Sequence, residues 1–217
     1  MPKLRVHNYS MSVDGYVAGP DQTEQDPLGV GGEALHEWMF ATPSGRRMMG
    51  QDPGDAEAGV DEGFFVAGEE NIGAHVMGRN MFGPIRGDWG DRDWRGWWGP
   101  EPPYHHPVFV LTHHEHEPIP MEGGTTFHFV TDGIESALEQ AFAAAGGQDV
   151  RLGGGASTVR QYLQAGLVDE LHVPISPVLL RGGERLFAEP DELPPGYEVV
   201  ELVSSPSAAH VLIARVQ

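Results

Sequence analysis

Val150-Arg151-Leu152-Gly153-Gly154-Gly155-Ala156-Ser157-Thr158 carries the strongest local signal in the chain. Three residues of strand character, Val150 to Leu152, run into three glycines and then into Ser157 to Ala165, whose pattern is helical. A strand-to-helix junction with no side chains at the bend lets a pyrophosphate approach the backbone, with Ser157 and Thr158 as added donors. The spacing departs from G-x-G-x-x-G, because Thr158 stands in the third glycine's place, and no P-loop lysine follows. Spacing alone leaves two readings open, a phosphate cradle or a tight turn without a ligand.

Outward from this junction the chain alternates. Val108 to Leu111 and Thr126 to Val130 read as strands, and Asp132 to Ala145 as a helix with Ile134, Leu138 and Phe142 at helical spacing, stopped by Gly146-Gly147. Glu170 to Ile175 is a further strand, and Tyr197 to Val203 and His210 to Val216, split by SSPSAA, read as an antiparallel hairpin. Alternating strands and helices predict an α/β fold: a mixed sheet with helices on both faces.

The first half is more broken. Leu4 to Met11 reads as a strand, Asp14-Gly15 as a turn, and Tyr16-Val17-Ala18 as a short apolar stretch. Residues 19–32 are rich in breakers and form a candidate lid loop. Glu33 to Phe40 reads as a short helix with Leu35, Trp38 and Met39 inward, and residues 42–60 as loop. Asp61 and Glu62 mark a helix start, and Ala74 to Met77 a buried strand that Gly78 ends. Residues 83–106 hold four of the five tryptophans among glycines and prolines. That segment is an irregular insertion, an interface or a cover.

Gly78-Arg79-Asn80 is a second strand-to-helix junction. A guanidinium at a helix start opposes the helix dipole, so Arg79 is either an anion clamp, as for the 2′-phosphate of NADP, or a solvated surface arginine. His113, His114 and His116 with Glu115 and Glu117 invite a metal reading. Three histidines within four residues of a loop do not make the helical i, i+4 pair, and no second cluster with ligand spacing is present, so no metal is assigned. Asp14 could move a proton or orient a substrate amine, yet Asp before Gly commonly closes a turn.

Composition narrows the partners. The chain has 217 residues, 40% hydrophobic, which suits a single domain over 1–217. There is no cysteine, which removes disulfides, thiolate metal sites and cysteine nucleophiles. A formal charge of −19, from 32 acidic and 13 basic residues, argues against nucleic acid. No apolar run has membrane-spanning length and the N-terminus lacks a signal-peptide core, so a cytoplasmic location with no membrane association is expected.

Taken in order, SVDGYVA, HVMGRNMFG, PVFVLT, VRLGGGAS and VDELHVPISPVLLRGGERLF resemble the dihydrofolate-reductase-like superfamily, most closely the C-terminal reductase domain of the bifunctional riboflavin-biosynthesis deaminase-reductase and its stand-alone bacterial relatives. The resemblance implies a three-layer α/β/α domain with a mixed, mainly parallel central sheet and a C-terminal antiparallel hairpin. It implies an NADPH-dependent oxidoreductase that passes hydride to a small heterocycle: dihydrofolate or another pterin, or a riboflavin-pathway ribosylamino-pyrimidine. The alternative is an NADP(H)-binding sensor without catalysis. Carried over residue by residue, Gly78, Arg79, Asn80, Met81, Thr112, His113, Gly153, Gly154, Gly155, Ala156 and Ser157 would bind the cofactor. Ser10, Met11, Ser12, Asp14, Val17, Ala18 and Trp38 would lie on the substrate side. Dihydrofolate reductases place an acid on the helix after the first loop; Glu33, His36 and Glu37 occupy that region, and Asp14 and Glu37 are the catalytic candidates. Relatives commonly pair as homodimers through late strands, so a homodimer is expected.

Overall fold

The computed structural model describes residues 1–217 except 57, 86, 91–92, 188–192 and 217. In chain order the strands β1 (Leu4–Val6), β2 (Met11–Ser12) and β3 (Tyr16–Ala18) precede a 3₁₀ turn (Gly32–His36) and the helices α1 (Glu37–Phe40), α2 (Pro43–Met48) and α3 (Val60–Glu69). There follow β4 (Ile72–Gly78), α4 (Arg79–Phe82), β5 (Pro107–Leu111), β6 (Ile119–Pro120), β7 (Thr126–Val130) and α5 (Ile134–Ala144). The chain ends with β8 (Asp149–Gly154), α6 (Ala156–Gln164), β9 (Glu170–Ser176), β10 (Glu184–Arg185), β11 (Tyr197–Ser204) and β12 (Ala209–Arg215). The class is three-layer α/β with a mixed, mainly parallel sheet and an antiparallel C-terminal hairpin. No helix among the described residues is long and apolar enough to cross a membrane.

Two compact units divide the chain. The first comprises Met1–Val6 and Asn71–Val168. Its strands run β1-β8-β4-β5-β7-β6, all parallel except β6. Parallel strands covered on both faces need side chains that are apolar throughout, and Val108, Phe109 and Val110 of β5 and Ala74, Val76 and Met77 of β4 are all buried. Helix α5 packs on β4, β5 and β8, and α6 on β8 and β4. The Tyr162 hydroxyl donates to Ile134 O at 2.7 Å and so ties the start of α5 to α6. Burial pushes that phenol's pKa up. Under the other elements lies a cluster of Met77, Phe82, Val108, Val110 and Phe127, each fully buried, against which Trp89, Trp94, Trp98 and Tyr104 of the 83–106 segment pack. Each such Val, Met or Phe contributes about 1.5–3 kcal/mol on burial.

The second unit comprises His7–Glu70 and Asp169–Gln217. Here β2 pairs parallel with β9, β9 antiparallel with β12, and β12 antiparallel with β11, while β3 and β10 form a separate two-stranded ladder. Ser205 closes the β11–β12 turn by accepting from the Ser207 and Ala208 N–H groups. Trp38, Phe65 and Ala208 form the buried centre.

Several local expectations are corrected. The opening strand is not continuous from Leu4 to Met11: it stops at Val6, and Asn8 adopts a φ of 56°, a left-handed conformation that Asn tolerates. Residues 43–48, expected as loop, form α2, because Pro43 sits in the first turn and Thr42 Oγ1 caps it by accepting from Gly45 N at 3.0 Å. The helix also depends on Gly45, where a Cβ would lie 2.0 Å from Met39 O. Residues 33–40 form a 3₁₀ turn and then one α turn rather than one helix. Strand β8 continues through Gly154 rather than ending at Leu152. The two-residue strands β6 and β10 carry too little pattern to be read from sequence.

Candidate functional site

In the first unit the register of the parallel strands aligns their C-terminal ends. Met77 of β4 lies opposite Gly154 of β8, and Gly78 opposite Leu111 of β5. The two glycine-bearing junctions and Thr112, the residue after β5, therefore share one sheet edge, where open parallel sheets place their ligands. Close packing welds the junctions together. A Cβ on Gly78 would lie 2.2 Å from Thr158 Oγ1, and one on Gly153 would lie 3.0 Å from Met81 Cε. Gly154 has a φ of 132°, which only glycine adopts readily, and a cis peptide joins it to Gly155.

Beyond this weld the surface opens. A Cβ on Gly155 would meet nothing within 4 Å, and Gly155 caps α6 without any side-chain hydrogen bond. Ala156 is buried, Ser157 exposed. Arg79, first residue of α4, donates from Nη1 to Thr112 Oγ1 at 3.2 Å, and its guanidinium carbon lies 3.7 Å from the centre of the Trp89 ring. Thr112 Oγ1 also accepts from His114 N at 3.2 Å. Asn80 and His113 are exposed beside them. A fixed cation, an open glycine backbone and an uncapped nine-residue helix make a donor set suited to phosphate groups. The nucleotide candidates thus come together on one edge.

The tryptophan segment is built onto this edge through its indole N–H groups. Trp94 Nε1 donates to Phe82 O at 3.0 Å, Trp97 Nε1 to Met81 O at 2.9 Å, and Trp89 Nε1 to His114 O at 3.1 Å. The first two satisfy terminal carbonyls that a one-turn helix such as α4 leaves without intrahelical partners. Gly83 allows the approach: a Cβ there would lie 2.2 Å from Trp94 Nε1. The histidine tip takes part, with His114 Nδ1 2.8 Å from Asp88 Oδ1 and His116 edge-on to Trp89. Among the described residues no group of three or more His, Asp or Glu is placed to hold a metal ion.

The substrate-side candidates belong to the second unit. Ser12 is fully buried; its Oγ donates to Asp14 Oδ1 at 2.6 Å and accepts from Tyr16 N. Asp14 also accepts from Leu180 N at 3.2 Å and Arg181 N at 2.7 Å. The Ser12 hydroxyl and these amides hold its carboxyl below the usual range, so it is ionised at neutral pH and organises the 178–181 segment. Val17 and Ala18 are buried in β3. Trp38 is 1% exposed, and its Nε1 donates to Ser10 Oγ at 2.9 Å. Glu33 and Glu37 are exposed, whereas burial holds His36 below its ordinary pKa, partly offset by the Gly32 carbonyl.

Sequence reasoning missed a buried histidine relay. Asn8 N–H donates to His172 Nδ1, which obliges His172 Nε2 to carry the proton it shares with His210 Nδ1 at 3.0 Å. His210 Nε2–H then donates to Asp61 Oδ1 at 2.7 Å. Each tautomer is fixed by its neighbour, Phe64 stacks on both rings, and Trp38 meets them edge-on. His7, packed against His172, pairs with Glu170 at 2.5 Å. The partners lie 38 to 164 residues apart, so no local pattern marks them.

Comparison with known proteins agrees with this architecture. A protein assigned to riboflavin biosynthesis from Shewanella sp. PV-4 shares the fold at 24% identity and a TM-score of 0.58, with both chains fully covered. A pyrimidine reductase-like protein from Corynebacterium diphtheriae matches at 15% identity and a TM-score of 0.53 over 100% of this chain and 92% of that one. The diaminohydroxyphosphoribosylaminopyrimidine deaminase/5-amino-6-(5-phosphoribosylamino)uracil reductase of Thermotoga maritima matches at 14% identity and a TM-score of 0.55, over 99% of this chain but 56% of the larger protein. No curated protein matches the sequence. Residues 2–205 match the family described as the RibD C-terminal domain, and the chain belongs to that family.

Proposed function

We propose that the protein is an NADPH-dependent reductase of a small heterocycle, a pterin or a ribosylamino-pyrimidine. The observation that carries the reading is the convergence of Gly78-Arg79, Thr112 and Gly153–Ser157 on one sheet edge through the Met77–Gly154 and Gly78–Leu111 registers. In this reading Arg79 and Thr112 take the 2′-phosphate, with Asn80, Met81 and His113 around them. The glycine backbone and the start of α6, with Ala156 and Ser157, take the pyrophosphate. Bound NADPH would supply the hydride, while the chain binds, orients and excludes water.

Ser12, Asp14, Val17, Ala18 and Trp38 are proposed for the substrate side. Asp14 there is an acceptor and an organiser of its loop rather than a proton donor, because its oxygens already receive three hydrogen bonds. That observation favours, as a second reading, an NADP(H)-binding sensor without turnover. A homodimer is proposed through β11, where Val199, Val200 and Leu202 are 53%, 53% and 69% exposed.

The test is a binding titration with NADPH and NADH, followed by absorbance loss with dihydrofolate and a ribosylamino-pyrimidine. Tighter NADPH binding, narrowed in Arg79→Ala, and turnover of one substrate are expected. Binding without turnover of any ring compound supports the sensor, and equal affinity for the two dinucleotides in the wild type counts against the cofactor assignment.

A further inference from the structure

We infer that Trp97 is a stacking platform for a flat heteroaromatic ring beside the glycine edge. This rests on the reductase reading above, and the ring belongs either to the cofactor's adenine or to the substrate heterocycle. Of the four tryptophans in 83–106, three are accounted for by the core: Trp89, Trp94 and Trp98 pack against the cluster of Met77, Phe82, Val108, Val110 and Phe127. Trp97 does not join them. It is half-buried, and among the described residues its one ring partner is Trp94, at a centroid distance of 4.6 Å and an interplanar angle of 78°. An edge-on contact occupies at most one face of an indole, so at least one face of Trp97 is not covered by another ring of the described residues.

Gly96 separates the two neighbouring rings. Its φ of 97° is one that glycine adopts readily, and a Cβ on it would lie 3.0 Å from Trp98 Cε3 and 3.5 Å from Phe82 Cε2. The chain thus bends closely over Phe82. Trp98 stacks on Phe127 at 5.8 Å and 20°, and Trp97 is left outside the cluster.

Trp97 is nonetheless fixed. Its Nε1 donates to Met81 O at 2.9 Å, and the Met81 methyl lies so near Gly153 that a Cβ there would be 3.0 Å from Met81 Cε. One residue therefore joins the indole to the glycine backbone proposed for the pyrophosphate. A ring tethered by its nitrogen and met by a second ring has lost its rotamer freedom before a ligand arrives, so stacking on it costs little further ordering. Stacking also suits the charge of the chain. At −19 the protein as a whole repels an anionic nucleotide, whereas a neutral aromatic face attracts any flat ring without needing a cation.

Equilibrium binding of NADPH, reduced nicotinamide mononucleotide, dihydrofolate and a ribosylamino-pyrimidine to the wild type, Trp97→Leu, Trp97→Phe and Trp94→Phe tests this. Ligand-free thermal melts check that each variant is folded. Reduced nicotinamide mononucleotide keeps the nicotinamide and one phosphate but lacks the adenine. Both Phe variants lose an indole hydrogen bond, so Trp94→Phe reports the loss of one anchor by itself. Trp97→Leu should weaken a ring-bearing ligand about tenfold, leave reduced nicotinamide mononucleotide unchanged, and be largely rescued in Trp97→Phe, while Trp94→Phe binds all of them as the wild type does. Loss on NADPH assigns the ring to adenine, and loss on dihydrofolate or the pyrimidine assigns it to the substrate. If Trp97→Leu binds every ligand as the wild type does, or weakens all of them equally, the inference is overturned and the cofactor reading stands. A wild type that binds no NADPH removes the cofactor reading and this inference with it.

Discussion

Acid should destabilise the protein through His75. His75 lies on β4 between Val108 of β5 and Arg151 of β8, 5% exposed. Its Nδ1 is 2.5 Å from His106 Nε2, so the two rings share one proton, and Tyr104 meets it edge-on. Burial above all, then the charges of Arg151 and His106, hold His75 well below its ordinary value of 6.5. The folded protein thus keeps it neutral while the unfolded chain takes up a proton as the pH falls through 6.5. The stability it carries is complete above that pH and declines below it, by up to about 1.4 kcal/mol per pH unit. At about pH 4.5 the loss reaches up to about 2.7 kcal/mol, or roughly 5–11 °C in Tm for a chain of this size. Urea melts followed by circular dichroism, stepped from about pH 7.5 to 4.5, measure the slope. His75→Gln keeps a hydrogen-bonding group but cannot titrate here. It should start less stable and show a shallower decline, retaining the part carried by other histidines such as His36 and His128, which burial also holds low. The stability carried by Asp14 and Glu62, whose carboxyls sit below ordinary values of 3.8 and 4.5, is lost only at lower pH. Parallel curves for wild type and variant across the window would refute the reasoning.

Two further predictions concern ligand approach and assembly. Because a Cβ at Gly155 meets no atom within 4 Å, Gly155→Ala should melt within about 0.5 kcal/mol of wild type yet bind NADPH more weakly; unchanged binding would mean that the pyrophosphate does not approach there. Leu202→Lys, on the exposed edge strand β11, should convert a dimer to monomer in sedimentation velocity, and a wild type that sediments as a monomer at all concentrations would dismiss the proposed pairing.

What the sequence disclosed was local, and what it hid was contact between distant residues. The run from Val150 to Thr158 could be read because a strand, three glycines and a helix follow in immediate succession, and the structure departs only in carrying the strand on to Gly154. The hairpin around SSPSAA was readable for the same reason. Helix α2 carried its own signal in Thr42-Pro43, a cap followed by a first-turn proline, but Gly45 and Gly50 nearby drew the segment toward loop. The break after Val6 turns on one Asn at positive φ, which no apolar pattern records. That Gly78 and Gly153 are needed for close approach could not be told from their own neighbourhoods, since Thr158 and Met81 lie 80 and 72 residues away. The tryptophan segment looked merely irregular because its order resides in indole N–H bonds to other segments.

Those three indole bonds imply an asymmetry in how the chain tolerates change. Every acceptor is a main-chain oxygen, of Met81, Phe82 or His114, which any replacement at those positions would still carry. Every donor is a ring nitrogen that tryptophan alone supplies at that reach. Drift on the receiving side can therefore alter packing without unfastening the segment, whereas loss of a single indole unfastens it at that point. The attachment is one-sided in its demands, and variation across 83–106 should be confined to the residues between the tryptophans.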